Sequence, residues 1–163
     1  CKDNVLRSLP RIGYQIIPVS LQEVVDLVDF RVDLEISNLY RAEEYVTDCS
    51  INDLRSKLAP QNSIQGHGIL RHWTENQQFH LALCALGQNG YTYRILEETL
   101  RQSARFAAQY FHIAWSRASE SQSSYHYAIV EALSKKDIAC ACEQLRLDIL
   151  SVKHELQRYL RVE

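Results

Sequence analysis

The chain predicts an all-α fold, an antiparallel bundle of about six to seven helices. Three observations carry that expectation. Beyond residue 20, apolar residues recur at spacings of three and four, the signature of helices with one buried face. No segment beyond that point alternates with the period of two that marks a half-buried strand. Structure breakers are few: three prolines and five glycines in 163 residues, concentrated before residue 91.

Taken in order, residues 11–19 hold a short β-prone run closed by Pro18. Ser20 with Glu23 three residues later forms a capping box and opens the first helix. Leu21, Val24, Val25, Val28, Leu34, Ile36 and Leu39 supply its apolar stripe. Ser50 with Asp53 marks a short helix ending near Ala59-Pro60, and residues 60–70, with Gly66 and Gly68, read as a loop. Thr74 with Gln77 caps the next helix, which carries Phe79, Leu81, Leu83 and Leu86 and stops at Gln88-Asn89-Gly90. The second half then reads as three helices: Tyr91 to about Trp115, Ser119 to Lys135, and Asp137 to about Leu160.

Composition narrows the function. With 46% apolar and 23% charged residues, the chain has the balance of an ordinary soluble domain. A formal net charge of −2 creates no field for a polyanion, so DNA binding by these residues alone is not expected. No apolar run reaches the length of a membrane span, and no membrane partner is expected. The five cysteines form no CxxC pair, and Cys140 and Cys142 point to different sides of a helix; they read as reduced thiols of a cytoplasmic protein.

One constellation carries chemistry. Asn76 and His80 are four apart and share a helix face beside the core residue Phe79. His126 precedes Ile129 and Leu133 by three and seven positions, which places it on the inward side of its helix. Asp148 lies between Leu147 and Ile149, where burying a carboxylate requires a cation or several donors. Two imidazoles, one carboxylate and one amide oxygen suit a divalent metal with open positions. On spacing alone, the simpler alternative is two hydrogen-bonded histidines and an Asp148 that faces water. His67, His72, His112 and His154 read as surface or packing residues.

The order and spacing of several motifs resemble a known family. Phe30-Arg31-Val32-Asp33-Leu34-Glu35 is similar to an Arg-x-x-Leu-Glu signature, and Asn76-Gln77-Gln78-Phe79-His80 to an Asp/Asn-x-x-Phe-His motif. Leu86-Gly87-Gln88-Asn89, Tyr125-His126 with Ala128-Ile129 and Ala132-Leu133, and Asp137 with Ala141 and Leu145 continue the series. Together they resemble the effector-binding FCD domain of GntR-type transcription regulators of the FadR subgroup. The resemblance implies a homodimeric, cytoplasmic sensor rather than an enzyme. DNA would be read by a preceding winged helix-turn-helix domain. Residues 1–19 would then be the remnant of wing and linker, and 20–163 the effector-binding and dimerisation domain.

It also implies a metal or ligand cavity inside the bundle, with the metal held by Asn76, His80, His126 and Asp148. Asn76 stands where Asp is frequent, and Asp148 where a third His is usual. The ion would be Zn, Ni, Mn or similar, with the oxygen ligands favouring harder cations. Small organic acids are the implied effectors, with Arg31, Arg101 and Arg105 as candidates to hold a carboxylate. Each arginine is equally a candidate for a surface ion pair, for example Arg101 with Glu97. Tyr91, Tyr93, Trp115 and Tyr125 are candidate pocket walls or plain core. Two other functions fit the same residues: a metal-dependent enzyme of the two-His, one-carboxylate type, and a ligand-free helical dimerisation domain.

Overall fold

A computed structural model describes residues 6–58 and 69–160; for 6, 69–72, 107–108, 110–123 and 155–160 only the backbone is described. A hairpin of β1 (Leu6–Leu9) and β2 (Gly13–Ile16) pairs antiparallel, with Leu6 opposite Ile16 and Leu9 opposite Gly13. Five α-helices follow: α1 (Leu21–Ala42), α2 (Asp48–Ser56), α3 (Ile69–Ala85), α4 (Gly90–Ser134) and α5 (Ile138–Leu160). A 3-10 turn, Glu43–Tyr45, follows α1 and brings the helical segments to six. The expected all-α bundle is therefore the architecture observed, with the small hairpin outside it.

Helix α1 starts where the capping box demands. Ser20 accepts from the Glu23 amide at 3.2 Å, and the Glu23 carboxylate accepts from the Ser20 amide at 2.7 Å. Its buried stripe is Val24, Val28, Val32, Ile36, Leu39 and Ala42, but the same face also buries Arg31, Glu35 and Asn38. Val24, Val28, Leu39, Leu54, Phe79, Leu83, Ile129, Leu133, Leu145 and Ile149 form the centre of one continuous core. Each such side chain removed from water stabilises the fold by about 1.5–3 kcal/mol.

Three sequence expectations are corrected. The cap of α2 is Thr47, which exchanges bonds with Ser50, so Ser50 is the third residue of the helix rather than its cap. That helix ends at Ser56, short of the expected end near Ala59-Pro60, and the loop with Gly66 and Gly68 lies outside the described residues. Helix α3 already runs at Ile69, five residues before Thr74. Nothing between Ile69 and Trp73 breaks a helix, and Gln77 is engaged instead by the carbonyl of Leu100 at 2.8 Å.

The third correction concerns the two helices expected over residues 91–135. They form one helical element, since no Pro or Gly interrupts Tyr91 to Ser134 and serines lower helix propensity only modestly. Yet α4 cannot be straight. Gln77 bonds the carbonyl of Leu100, and its neighbour Asn76 reaches His126. In a straight helix those two residues would stand about 39 Å apart, far beyond the reach of two adjacent side chains. The element therefore bends, and Leu100 and His126 both reach the same turn of α3.

The exit of α3 is built on a close approach. Asn38 Nδ2 donates to the Cys84 carbonyl at 2.8 Å, which also receives the Gly87 amide at 3.1 Å. A Cβ on Gly87 would collide with the Asn38 amide group. Gln88 then takes φ 51°, and Asn89 caps α4 by accepting from the amides of Tyr91 and Thr92. Gly87→Ala should lower stability by about 1–3 kcal/mol in urea denaturation. The loss should shrink in an Asn38→Ala background, where the obstructing amide is gone.

Candidate metal and effector centre

Four helices each turn a polar side chain into the middle of the bundle. Helix α1 brings Arg31 and Glu35, α3 brings Asn76 and His80, α4 brings His126, and α5 brings Asp148. All six are buried, with His80 and Asp148 only 1% and 2% exposed. Ligand atoms of His80, His126 and Asp148 all lie within 4.8 Å of one another. Asp148 Oδ2 is 3.0 Å from His80 Nε2 and 3.5 Å from His126 Nε2, and Asn76 Nδ2 is 3.5 Å from the same nitrogen of His126. All four residues picked from the sequence are thus brought together, and Asp148 does not face water.

Neighbouring groups fix the rings. His80 Nδ1 lies 2.6 Å from Glu35 Oε2, and Glu35 Oε1 accepts from Arg31 Nε at 2.8 Å. A carboxylate on Nδ1 sets the tautomer and turns Nε2 toward Asp148, the usual support of a ligating histidine. His126 stacks on Phe79 with centroids 3.9 Å apart and planes 17° from parallel, which fixes its orientation as well. Glu35 is the residue whose role the sequence reading missed. Its signal was present: Val24, Val28, Arg31, Glu35, Asn38 and Ala42 follow one another at spacings of three and four, so charged groups occupy core positions.

Electrostatics at the centre balance opposed effects. Burial alone would push His80 toward neutrality, but the adjacent Glu35 and the hydrogen bonds to Asp148 and Glu35 overcome it and raise its pKa to about 8. Burial would likewise raise Asp148, yet the His126 and His80 imidazoles hold its carboxyl well below the usual carboxylate range. Glu35 stays low against the same penalty, through Arg31 and His80. Without a metal, a protonated His80 can thus bridge two carboxylates.

The donor set also fits a divalent cation. Metal bonds near 2.1 Å place neighbouring ligand atoms about 3.0–3.4 Å apart, close to the 3.0 and 3.5 Å spacings around Asp148 Oδ2. Asp148 Oδ1 is buried without a hydrogen-bond partner among the described residues. Leaving such an oxygen bare costs about 1–3 kcal/mol or more. Turning the Asn76 amide over presents an oxygen instead of a nitrogen at the same place.

Of the three arginines, Arg31 is the one that the described contacts join to the cluster. One face of its guanidinium holds Glu35, while Nη2 is buried without a partner among the described residues. Arg101 lies half exposed on α4 and pairs with Glu98 at 2.7 Å, three residues back, rather than with Glu97. Arg105 donates to the Ile17 carbonyl at 3.1 Å. It lines a cleft of about 500 Å³ between α1 and α4 with Glu23, Phe30 and Glu98. Tyr91 is exposed, and Tyr93 packs beside the small cluster of Cys84, Leu96 and Leu100. His154 is exposed; His67 and the side chains of His72, His112 and Trp115 lie outside the described residues. Cys140 is exposed and Cys142 buried, as their spacing required, and no disulfide forms among the described cysteines.

The sequence model of the FCD domain family matches residues 26–150, which spans the whole cluster. Among solved structures, McbR/YncC of E. coli superposes with a TM-score of 0.78 at 16% identity, over 96% of this chain and 74% of that one. A transcriptional regulator (GntR family member) from Pseudomonas syringae pv. tomato gives 0.72 at 19% identity, over 98% of this chain and 66% of that one. Lar of Listeria monocytogenes, described as controlling expression of the agr system, gives 0.75 at 15% identity, over 94% and 73%. At such identities the likeness is one of fold. The chain spans roughly two thirds to three quarters of those chains. No curated protein sequence matches significantly.

The raised pKa of His80 has a measurable consequence. The native state keeps this proton up to about pH 8, whereas an unfolded histidine releases it near 6.5. In chelator-treated protein this contribution to stability is complete below about pH 6.5 and is lost as pH rises through about 8. Urea midpoints taken between pH 6 and 9 should fall over that window, and His80→Asn should remove that part of the fall.

Proposed function

This chain belongs to the FCD domain family, and on that premise we propose that it is the sensing domain of a GntR-type transcription regulator. The ligand in this reading is a small organic acid, bound beside a divalent cation held by Asn76, His80, His126 and Asp148. The observation that carries the reading is the buried Asp148 carboxylate, with one oxygen bare and two imidazoles on the other. The chemistry a bound divalent ion supplies is a set of open positions that accept a carboxylate oxygen.

Charge supports an acidic effector. Arg31 contributes one positive charge, and Glu35 and Asp148 one negative charge each. With a divalent ion present and both imidazoles neutral, the cluster keeps one net positive charge. A carboxylate balances it, and the free Nη2 of Arg31 offers that group a charge-assisted hydrogen bond. Operator DNA is read, in this proposal, by a domain on the N-terminal side of the hairpin, and the regulator works as a homodimer. Among the described residues no helix is long and apolar enough to cross a membrane.

Metal analysis tests the centre directly. Purified protein equilibrated with Zn, Ni or Mn and then dialysed should retain about one ion per chain, and His80→Ala and Asp148→Asn should retain little. Equal retention in all three proteins would remove these residues from any metal site. A thermal-shift screen of small carboxylates tests the effector. A binder at a hundred times its Kd stabilises the domain by about 2.7 kcal/mol. Arg31→Lys keeps the charge on Glu35 but lacks the fork, so it should weaken that binder about ten-fold or more while metal retention stays.

A further inference from the structure

The hairpin owes its position to its linker. Among the described residues neither strand packs extensively against a helix, and Ile12, Tyr14 and Ile16 are largely exposed. The linker itself is fastened. Gln109 Oε1 accepts from the Val19 amide at 2.8 Å, and Gln109 Nε2 donates to the Val19 carbonyl at 3.0 Å. One turn earlier on α4, Arg105 Nη2 donates to the Ile17 carbonyl. A side-chain amide that bonds both backbone groups of one residue does what a neighbouring strand would do. Pro18 fixes the backbone between the two anchored residues, and Ser20 is held by the capping box. Ile17 to Ser20 is therefore a stiff segment, tied to α4 as firmly as to α1.

The same limb of α4 is tied at its other end to the polar centre. The Leu100 carbonyl accepts from Gln77, and Gln77 stands next to Asn76. From Leu100 to Gln109 the helix covers about 13 Å, one rigid span from the centre's own helix turn to the root of the hairpin. We propose that this limb is a lever, with Gln77 at its inner end and Gln109 and Arg105 as the joint that sets the angle of the hairpin. Displacement of the Asn76-Gln77 turn then moves whatever the hairpin belongs to. The sensor reading supplies a purpose for the device, but the joint and the lever stand on hydrogen bonds that form without any metal or effector.

Amide hydrogen exchange at Val19, followed by NMR on the full chain without added metal, separates the parts. Gln109→Ala should speed Val19 exchange by about ten-fold, with the exchange of α5 core amides such as Leu145 unchanged. Gln77→Ala, which touches neither linker nor hairpin, should speed it by about two- to three-fold. The double variant should exchange no faster than Gln109→Ala alone. Unchanged Val19 exchange in Gln109→Ala removes the joint. A response to Gln109→Ala but none to Gln77→Ala leaves a local fastening and overturns the lever, as does full additivity in the double variant. A rise shared equally by the α5 core is general opening of the fold and overturns it too.

Discussion

Burying the Asp148 carboxylate in the middle of a helical bundle is the constraint on which the rest of this structure turns. An isolated buried charge of that kind costs far more than a domain's net stability. The fold meets the cost by converging four helices on it. His80 and His126 approach one oxygen, Glu35 anchors His80 from behind, and Arg31 anchors Glu35. Each group satisfies the next, so removing any one leaves a buried charge exposed to the low-dielectric interior. Two atoms of the network have no partner among the described residues, Asp148 Oδ1 and Arg31 Nη2, one an acceptor and one a donor. In the proposed reading, a cation beside a carboxylate ligand would satisfy both.

Around this centre the apolar core acts as the frame. Phe79 shows the division of labour: it is fully buried in the core and presents its ring to His126. Asn38 plays the same double part at the next level. It sits on the buried stripe of α1, ties down the last turn of α3, and leaves room for no side chain at position 87. The register between α1 and α3, and hence the distance from Glu35 to His80, follows from that contact. Packing a polar centre within hydrogen-bond range requires this precision, because a shift of one ångström would break the bonds that make burial tolerable.

Family membership and geometry support the same function from different directions. The family supports a regulator's sensing domain, while the cluster has the donors that the proposed cation and acid would need. The fastening of the linker to α4 adds a physical route from that cluster toward the hairpin. A route of this kind transmits a signal only if the ligand favours one of two arrangements. The hydrogen bonds from Gln77 to Leu100 and from Gln109 to Val19 are where two arrangements would differ.

Local rules alone determined much of this protein. Helical periodicity gave the bundle, the Ser20–Glu23 pair gave the start of α1, and spacing gave the shared face of Asn76 and His80 and the inward side for His126. These are properties of a few adjacent residues, and sequence states them directly. Spacing leaves Asp148 between burial and water, and only the family resemblance joins the four as one set. Tertiary structure decided what depends on distant pairs. Glu35 became a partner of His80 across 45 residues, Arg31 joined the centre while Arg105 turned to Ile17, and α4 bent so that Leu100 and His126 meet one turn of α3. No spacing rule links such residues; only the folded packing of α1, α3 and α4 selects those partners. Asp148 unites the two levels: sequence marked it as a carboxylate among apolar residues, and packing determined that two imidazoles would meet it.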